Sequence, residues 1–280
     1  MRHVKAKIFL RRMETLSKRR PVKTSGNPQW PSPTHKALIK APKKPLPPPR
    51  GIRPFILTCD KRLDELEKFV TNYEKIASSL LDPVLIIDDR NEKVRERYHE
   101  LLLRLKPFAT IAQPRYKEND FENLQYFMIK DFPKWALHYS DNDIVFMEDD
   151  IVLSSQFPSA IKKASQYLQI EPDFITFYAR SKYSRLKRYP AYHFMTPFNG
   201  NEYYGNICVL FKRRVLEDLK ANWKKLLSWP PGWDLRWGRY LQKNQYRMYE
   251  TKKHYANHAI GKSAISGKHK AERDETHYQK

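Results

Sequence analysis

From residue 54 onward, apolar positions fall into two patterns that alternate along the chain. Pro54-Phe55-Ile56-Leu57-Thr58-Cys59 is a short continuous apolar run of strand length, and after it Leu63, Leu66, Phe69, Val70, Tyr73, Ile76 and Leu80 recur at three- and four-residue spacing. That spacing is the stripe a helix turns toward a core. Pro83-Val84-Leu85-Ile86-Ile87-Asp88-Asp89 repeats the first pattern, and Val94, Tyr98, Leu101, Leu102 and Leu105 repeat the second. A weaker strand is expected over 109–112, then one helix presenting Phe121, Leu124, Phe127, Met128 and Trp135. Further on, the pattern predicts a helix through Phe157, Ile161, Ala164 and Leu168, strands over 174–178 and 204–211, a helix over 215–227 and another through Trp237 and Leu241. Runs that are apolar on both faces belong to a sheet covered on both sides. Their alternation with helices predicts α/β architecture: a right-handed, mostly parallel, doubly wound sheet with helices on both faces, in a single domain.

One run differs from the rest. Asp143-Ile144-Val145-Phe146-Met147 leads into Glu148-Asp149-Asp150, and the chain turns apolar again at Ile151-Val152-Leu153. Three adjacent carboxylates closing a buried strand repel one another unless a cation or proton compensates. Carboxylate oxygens are the ligands of hard divalent ions, and such ions also take up substrate phosphates. Ligands of doubly wound sheets sit outside the carboxyl ends of the strands. Asp88-Asp89 and Glu148-Asp149-Asp150 both fall there, which points to a metal–diphosphate site. An exposed acidic turn is the plain alternative.

Charge changes the picture at the amino end. The formal net charge is +22, and the first 53 residues carry fifteen Lys/Arg against one acid, Glu14. This stretch ends in Pro45-Leu46-Pro47-Pro48-Pro49. Such a composition buries too little apolar surface to offset chain entropy, so residues 1–53 are expected to be a disordered basic arm, 54–265 the folded domain and 266–280 a polar basic tail. The arm's acid-poor start has a weak likeness to a transit peptide. A polycation favours polyanionic partners, nucleic acid among them. No apolar run approaches a membrane span and no secretory leader is evident, so a soluble cytoplasmic protein is expected, in the host cytoplasm if the chain is viral. Cys59 and Cys208 lie in apolar contexts and are expected to be core residues rather than a disulfide pair.

Between residues 180 and 201, Lys182, Arg185, Lys187 and Arg188 are interleaved with Tyr183, Tyr189, Tyr192 and His193. Cations among aromatics suit nucleic-acid backbone and base stacking, with Lys182, Arg185, Arg188 and Tyr189 as the candidate contacts. A nucleotide lid or a solvated loop has the same composition.

Taken in order, these features resemble the GT-A type of nucleotide-sugar glycosyltransferase. The resemblance spans roughly residues 55 to 263. Ile86-Ile87-Asp88-Asp89 is similar to the strand end that holds the nucleoside, and Phe146-Met147-Glu148-Asp149-Asp150 to the D-x-D signature in a Glu-Asp-Asp form. Gly205 resembles the glycine-containing segment on the acceptor side. Asp234 stands where an inverting member keeps its base, and Asn257-His258-Ala259-Ile260-Gly261-Lys262-Ser263 is similar to the late histidine segment. The resemblance implies Asp150 and His258 as ligands of Mn²⁺ or Mg²⁺, with Asp149 on the ribose or bridging through water. It places Thr58, Asp88 and Asp89 around the nucleoside of a UDP-sugar, and Gly205 nearby. Imidazole favours Mn²⁺. His254 rivals His258, and Asp234 serves equally well as a helix cap. With no anchor in view, the charge points to a DNA acceptor, a hydroxymethylpyrimidine as in viral enzymes resembling this class. A surface glycan, lipopolysaccharide or protein acceptor is the second possibility. A sugar nucleotidyltransferase, a two-metal nuclease and a non-catalytic nucleic-acid-binding protein are the rivals from other classes.

Overall fold

The computed structural model describes residues 48, 51–59, 63–76, 80–88, 95–117, 120–170, 172–178, 195–197, 208–229 and 232–258. All of them belong to one compact unit, residues 41–280. Apart from residues 48 and 51–53, of which Ile52 is buried in the core and Arg53 opens the first strand, the expected basic arm lies outside the described residues, as do Asp89, the cationic loop with Lys182, Arg185, Arg188 and Tyr189, Gly205, and the basic tail.

Strands β1 (Arg53–Cys59), β2 (Val84–Asp88) and β3 (Ala109–Ala112) follow one another through helices α1 (Leu63–Glu74) and α2 (Arg95–Leu105). Two helices, α3 (Asp120–Lys130) and α4 (Phe132–Tyr139), then carry the chain back across β1 to β4 (Ile144–Glu148). After β5 (Ile151–Leu153) come α5 (Phe157–Ile170), β6 (Phe174–Thr176), β7 (Met195–Pro197) and β8 (Cys208–Phe211). Helices α6 (Arg213–Ala221), α7 (Trp223–Leu227) and α8 (Trp233–Lys243) precede β9 (Met248–Thr251) and β10 (Ala256–His258).

The large sheet has the order β3-β2-β1-β4-β8-β6-β9-β7, and β5 pairs only with β10. The sheet is mostly parallel: β1 to β4, β6 and β9 point one way, β7 and β8 the other. One face buries α1, α2 and α5 through Leu66, Phe69, Leu101, Leu105, Phe157 and Ile161. The other buries α3, α4, α6 and α8 through Phe127, Phe132, Leu216 and Trp237. Helices therefore cover both faces, and the winding reverses between β1 and β4. In doubly wound sheets that switch point opens a crevice at the carboxyl ends of the strands.

Two expected helices are each split. Pro133 lies in the first turn of α4, where its missing N–H costs nothing, so a new helix starts after Asp131. The 215–227 stretch breaks at Asn222, which closes α6: its backbone N–H donates to the Asp218 and Leu219 carbonyls, and its side-chain amide caps the Asp218 carbonyl and carboxylate. Cys208 is free and fully buried, as expected of a core residue, and burial pushes its thiol pKa well up. The side chain of Cys59 lies outside the described set. Among the described residues no helix is long and apolar enough to cross a membrane.

Candidate functional site

The carboxylate triplet sits at the switch point. Glu148 is the last residue of β4 and pairs with Leu57 of β1, and the N–H of Asp149 donates to the Leu57 carbonyl at 3.1 Å. The chain then turns at Asp149 and Asp150, which are 0% and 5% exposed, while Glu148 is half-buried. Burial of two adjacent carboxylates at a sheet edge is costly without compensating charge or hydrogen bonds, so the plain alternative of a solvated acidic turn does not describe this place.

Beyond the turn, Ile151–Leu153 leaves the large sheet and pairs with β10. Its register with β10 sets Ala256 opposite Leu153, Asn257 opposite Val152 and His258 opposite Ile151. The backbone of His258 thus lies across from the residue that follows Asp150. Paired Cα atoms in antiparallel ladders are about 4.5–5.5 Å apart, which brings a residue near the chain's end to the triplet's border. His254 comes four residues earlier, before the ladder begins, and its ring lies 5.4 Å from that of Tyr178. The register thus sets the backbone of His258 at the triplet's border, while His254 lies outside the ladder.

Two devices hold this small ladder. The Asn72 side chain on α1 behaves as a surrogate strand, accepting from the Leu153 N–H at 2.7 Å and donating to the Leu153 carbonyl at 3.2 Å. At the same end, one residue further out, Ser154 N–H donates to the Tyr255 carbonyl, and Tyr255 N–H to that of Phe177. Burial raises the Tyr255 phenol pKa.

Thr58 is one residue beyond the Leu57–Glu148 pair, 2% exposed, and its hydroxyl has no hydrogen-bond partner among the described residues. The register continues outward with Cys59 opposite Asp88. Thr58, Asp88 and Asp149 therefore close three adjacent strands, β1, β2 and β4, at one edge.

Asp234 reaches the same edge from the helical layer. Trp233 packs on Phe146 with ring centroids 5.6 Å apart, while Trp237, one turn later, packs on Phe211, which pairs with Ile144. Helix α8 thus runs antiparallel to β4 with its amino end over the triplet's edge. Within the first turn the Asp234 carboxylate accepts from the Leu235 N–H at 2.8 Å, satisfying one of the helix's orphan donors. Gly232 precedes it at φ 109°, and its N–H donates to Gln125 at 3.0 Å.

Sequence reasoning missed Glu250. It is 3% exposed and pairs with Thr176, also buried, at the carboxyl ends of β9 and β6. The polar Tyr249-Glu250-Thr251 lacks the apolar run that marked the other strands, and only its β-branched and aromatic content hinted at one. Three strand spacings separate Glu250 from the triplet, about 14 Å, on the side away from Asp88.

Among the described residues no three His, Cys, Asp or Glu groups converge as a ready metal cage, and the His258 side chain is outside that set. The donor chemistry nevertheless fits a divalent ion. Two buried carboxylates adjoin a histidine-bearing strand, and the diphosphate of a nucleotide would complete the oxygen ligands.

The chain matches no protein-family model and no curated protein sequence. Its fold is similar to that of several solved structures. The mannosyltransferase PcManGT of Pyrobaculum calidifontis, in complex with GDP-Man and Mn²⁺, aligns over 76% of this chain and 59% of its own at 14% identity and TM-score 0.47. The apo-form glycosyltransferase GlyE of Streptococcus pneumoniae TIGR4 aligns over 71% and 45%, at 12% identity and TM-score 0.42. The inositol-1-phosphate CTP transferase of T. maritima aligns over 72% and 86%, at 8% identity and TM-score 0.42. This chain thus spans about half the length of the first two.

Proposed function

We propose that the chain is a metal-dependent glycosyltransferase, moving a sugar from a nucleoside-diphosphate sugar to a hydroxyl acceptor, with a hydroxymethylpyrimidine base of DNA as that acceptor. The observation that supports this best is the β5–β10 register, which sets His258 beside the buried Asp149-Asp150 turn at the switch point. Asp150 and His258 would hold the ion, Mn²⁺ in preference to Mg²⁺, and Asp149 the ribose. Bound there, such an ion neutralises charge on a departing diphosphate. Thr58, Asp88 and Asp89 would border the nucleoside, UDP being the first to test, and Gly205 the acceptor side.

The reaction breaks the bond between the anomeric carbon and the diphosphate oxygen and forms one to the acceptor oxygen. With inversion, Asp234 would receive the acceptor's proton, and its bond to the Leu235 N–H would orient it for that task. The basic arm and Lys182, Arg185, Arg188 and Tyr189 would hold DNA. A 5-substituent already projects into the major groove, so a full base flip is not required.

The test is nucleoside diphosphate release from a panel of nucleotide sugars with Mn²⁺, with and without hydroxymethylated DNA, for the full chain and for Asp150→Asn. The reading expects release stimulated by the modified DNA and cut at least ~100-fold in the variant, the scale of losing an electrostatic group at the reacting centre. No release from any donor, or equal release from the variant, overturns it. DNA cleavage without donor would reveal a nuclease instead.

A further inference from the structure

Residues 212–247, which build the layer of α6, α7 and α8, carry ten Lys/Arg against three acids. Each acid is turned to a local partner. Glu217 pairs with Arg213 at 3.2 Å, Asp218 accepts from Asn222 and from the Tyr240 and Tyr246 phenols, and Asp234 accepts from the Leu235 N–H. Four of the other cations are engaged too: Lys212, Arg214 and Arg247 surround Asp173, and Arg236 donates to the Trp229 carbonyl. Lys220, Lys224, Lys225, Arg239 and Lys243 make no ion pair among the described residues, and the four lysines are exposed.

These cations are laid along a band of aromatic rings. The Lys224 ammonium is 5.7 Å from the Trp223 ring, and that of Lys130 on α3 is 5.6 Å from the same ring. The Lys225 ammonium is 5.7 Å from Tyr240, itself 6.2 Å from Trp229, so the band crosses from α7 to α8. Lys243 lies one turn beyond Tyr240 on the same helix. Outward cations without carboxylate partners, set on a rigid helical layer, are the electrostatic footprint of a phosphate backbone. A membrane surface would be met by projecting apolar side chains as well. Among the described residues, the exposed large aliphatic side chains Leu103, Val152 and Ile170, and Phe108, lie elsewhere, while Tyr116, 4.4 Å from the Lys130 ammonium, adds one more ring to the band.

We infer that the α6–α8 layer is a docking face for the phosphate backbone of duplex nucleic acid, formed by Lys220, Lys224, Lys225, Arg239 and Lys243. It rests on the DNA-acceptor reading for its purpose but not for its measurement, because duplex affinity and donor turnover are read separately. Helix α8 extends from this face to the triplet's edge, so a duplex held here would have its groove beside Asp234.

The test uses the full chain and a fluorescein-labelled DNA duplex, with affinity measured over a salt series. Each phosphate that the protein ceases to neutralise lowers the slope of log affinity against log salt by about 0.9, so Lys220→Glu/Lys224→Glu/Lys225→Glu/Lys243→Glu is expected to lower it by about 3 to 4. The neutral Lys→Gln quadruple is expected to follow. An equal reversal on the opposite face and the α2 end, Lys68→Glu/Lys75→Glu/Lys106→Glu/Lys162→Glu, is expected to lower it by less than about one unit. The inference is overturned if both reversals act alike, since net charge and the basic arm would then account for binding. It is equally overturned if the first reversal abolishes binding to phosphatidylserine vesicles and spares DNA. Donor hydrolysis without DNA is expected to be unchanged in every variant; its absence in the wild type would sink the transferase reading while leaving the salt slopes informative.

Discussion

Removing the Asp173 side chain probes how the sheet's amino-end edge is held. Asp173 is 1% exposed and stands just before β6. Its Oδ1 accepts from Arg214 Nε at 3.1 Å and Nη2 at 2.5 Å, with Lys212 Nζ at 3.5 Å. Its Oδ2 accepts from the Arg247 backbone N–H at 3.0 Å, with the Arg247 guanidinium at 3.6 Å. The backbone is used as well: Asp173 N–H donates to the Arg247 carbonyl and Lys212 N–H to the Asp173 carbonyl. One carboxylate therefore ties the exit of β8, the entry of β9 and the start of α6. Asp173→Ala strands the Arg247 N–H, at a cost of about 1–3 kcal/mol for an unsatisfied buried donor. The roughly 3–5 kcal/mol typical of breaking a buried pair is not reached. Lys212, Arg214 and Arg247 keep 21%, 55% and 45% of their side-chain surface and can rehydrate. The expected loss is about 2–3 kcal/mol, roughly 5–10 °C in Tm for a body of this size. Asp173→Asn keeps one acceptor and should lose about half as much. Urea titration with an unchanged m-value is the assay. An alanine variant within about 0.5 kcal/mol of wild type, the usual range of a neutral surface change, would refute the hub.

Gly232→Ala should cost about 1–3 kcal/mol, because φ of 109° disfavours any Cβ and the added atom would meet Asp234 Oδ1 at 3.3 Å; an unchanged melting curve would contradict this. Burial and the Asp131 carboxylate push the Tyr116 phenol up to about 12, and burial with Asp218 does the same for Tyr246. Both lie above the unfolded value near 10, so the stability they contribute is complete below about pH 10 and lost as pH rises toward 12. Phenolate absorbance followed alongside far-ultraviolet CD checks this, and folded protein ionising both phenols near 10 would oppose it. His258→Ala should weaken Mn²⁺ binding by at least ~10-fold, as loss of a ligand does, whereas His254→Ala, outside the ladder and beside Tyr178, should change it less than about twofold; the reverse order would exchange their roles.

The parallel half of the sheet was legible because strands buried on both faces must be continuously apolar: β1 and β2 begin and end within a residue or two of the runs that announced them, whereas β3, at the sheet edge with only Ile111 buried, gave the weaker signal. The triplet stood out for the same reason, as charge where burial was required. What stayed hidden was non-local. β10 is three residues of mixed polarity whose pairing with β5 spans about a hundred positions, and β9 carries Glu250 and Thr251 inside the sheet. The Asn72 clamp on Leu153 has no local pattern at all. Helix breaks at Asp131 and Asn222 lay inside continuous apolar stripes, and only Pro133 marked the first of them.

The central claim is that the Asp149-Asp150 turn grips a divalent ion which in turn grips a pyrophosphate. Calorimetric titration of UDP into the full chain, with Mn²⁺ and with EDTA, measures it directly. The account predicts that Mn²⁺ tightens UDP at least ~10-fold, or about 1.4 kcal/mol, and that Asp150→Asn erases the difference. Equal UDP affinity with and without the ion would contradict it.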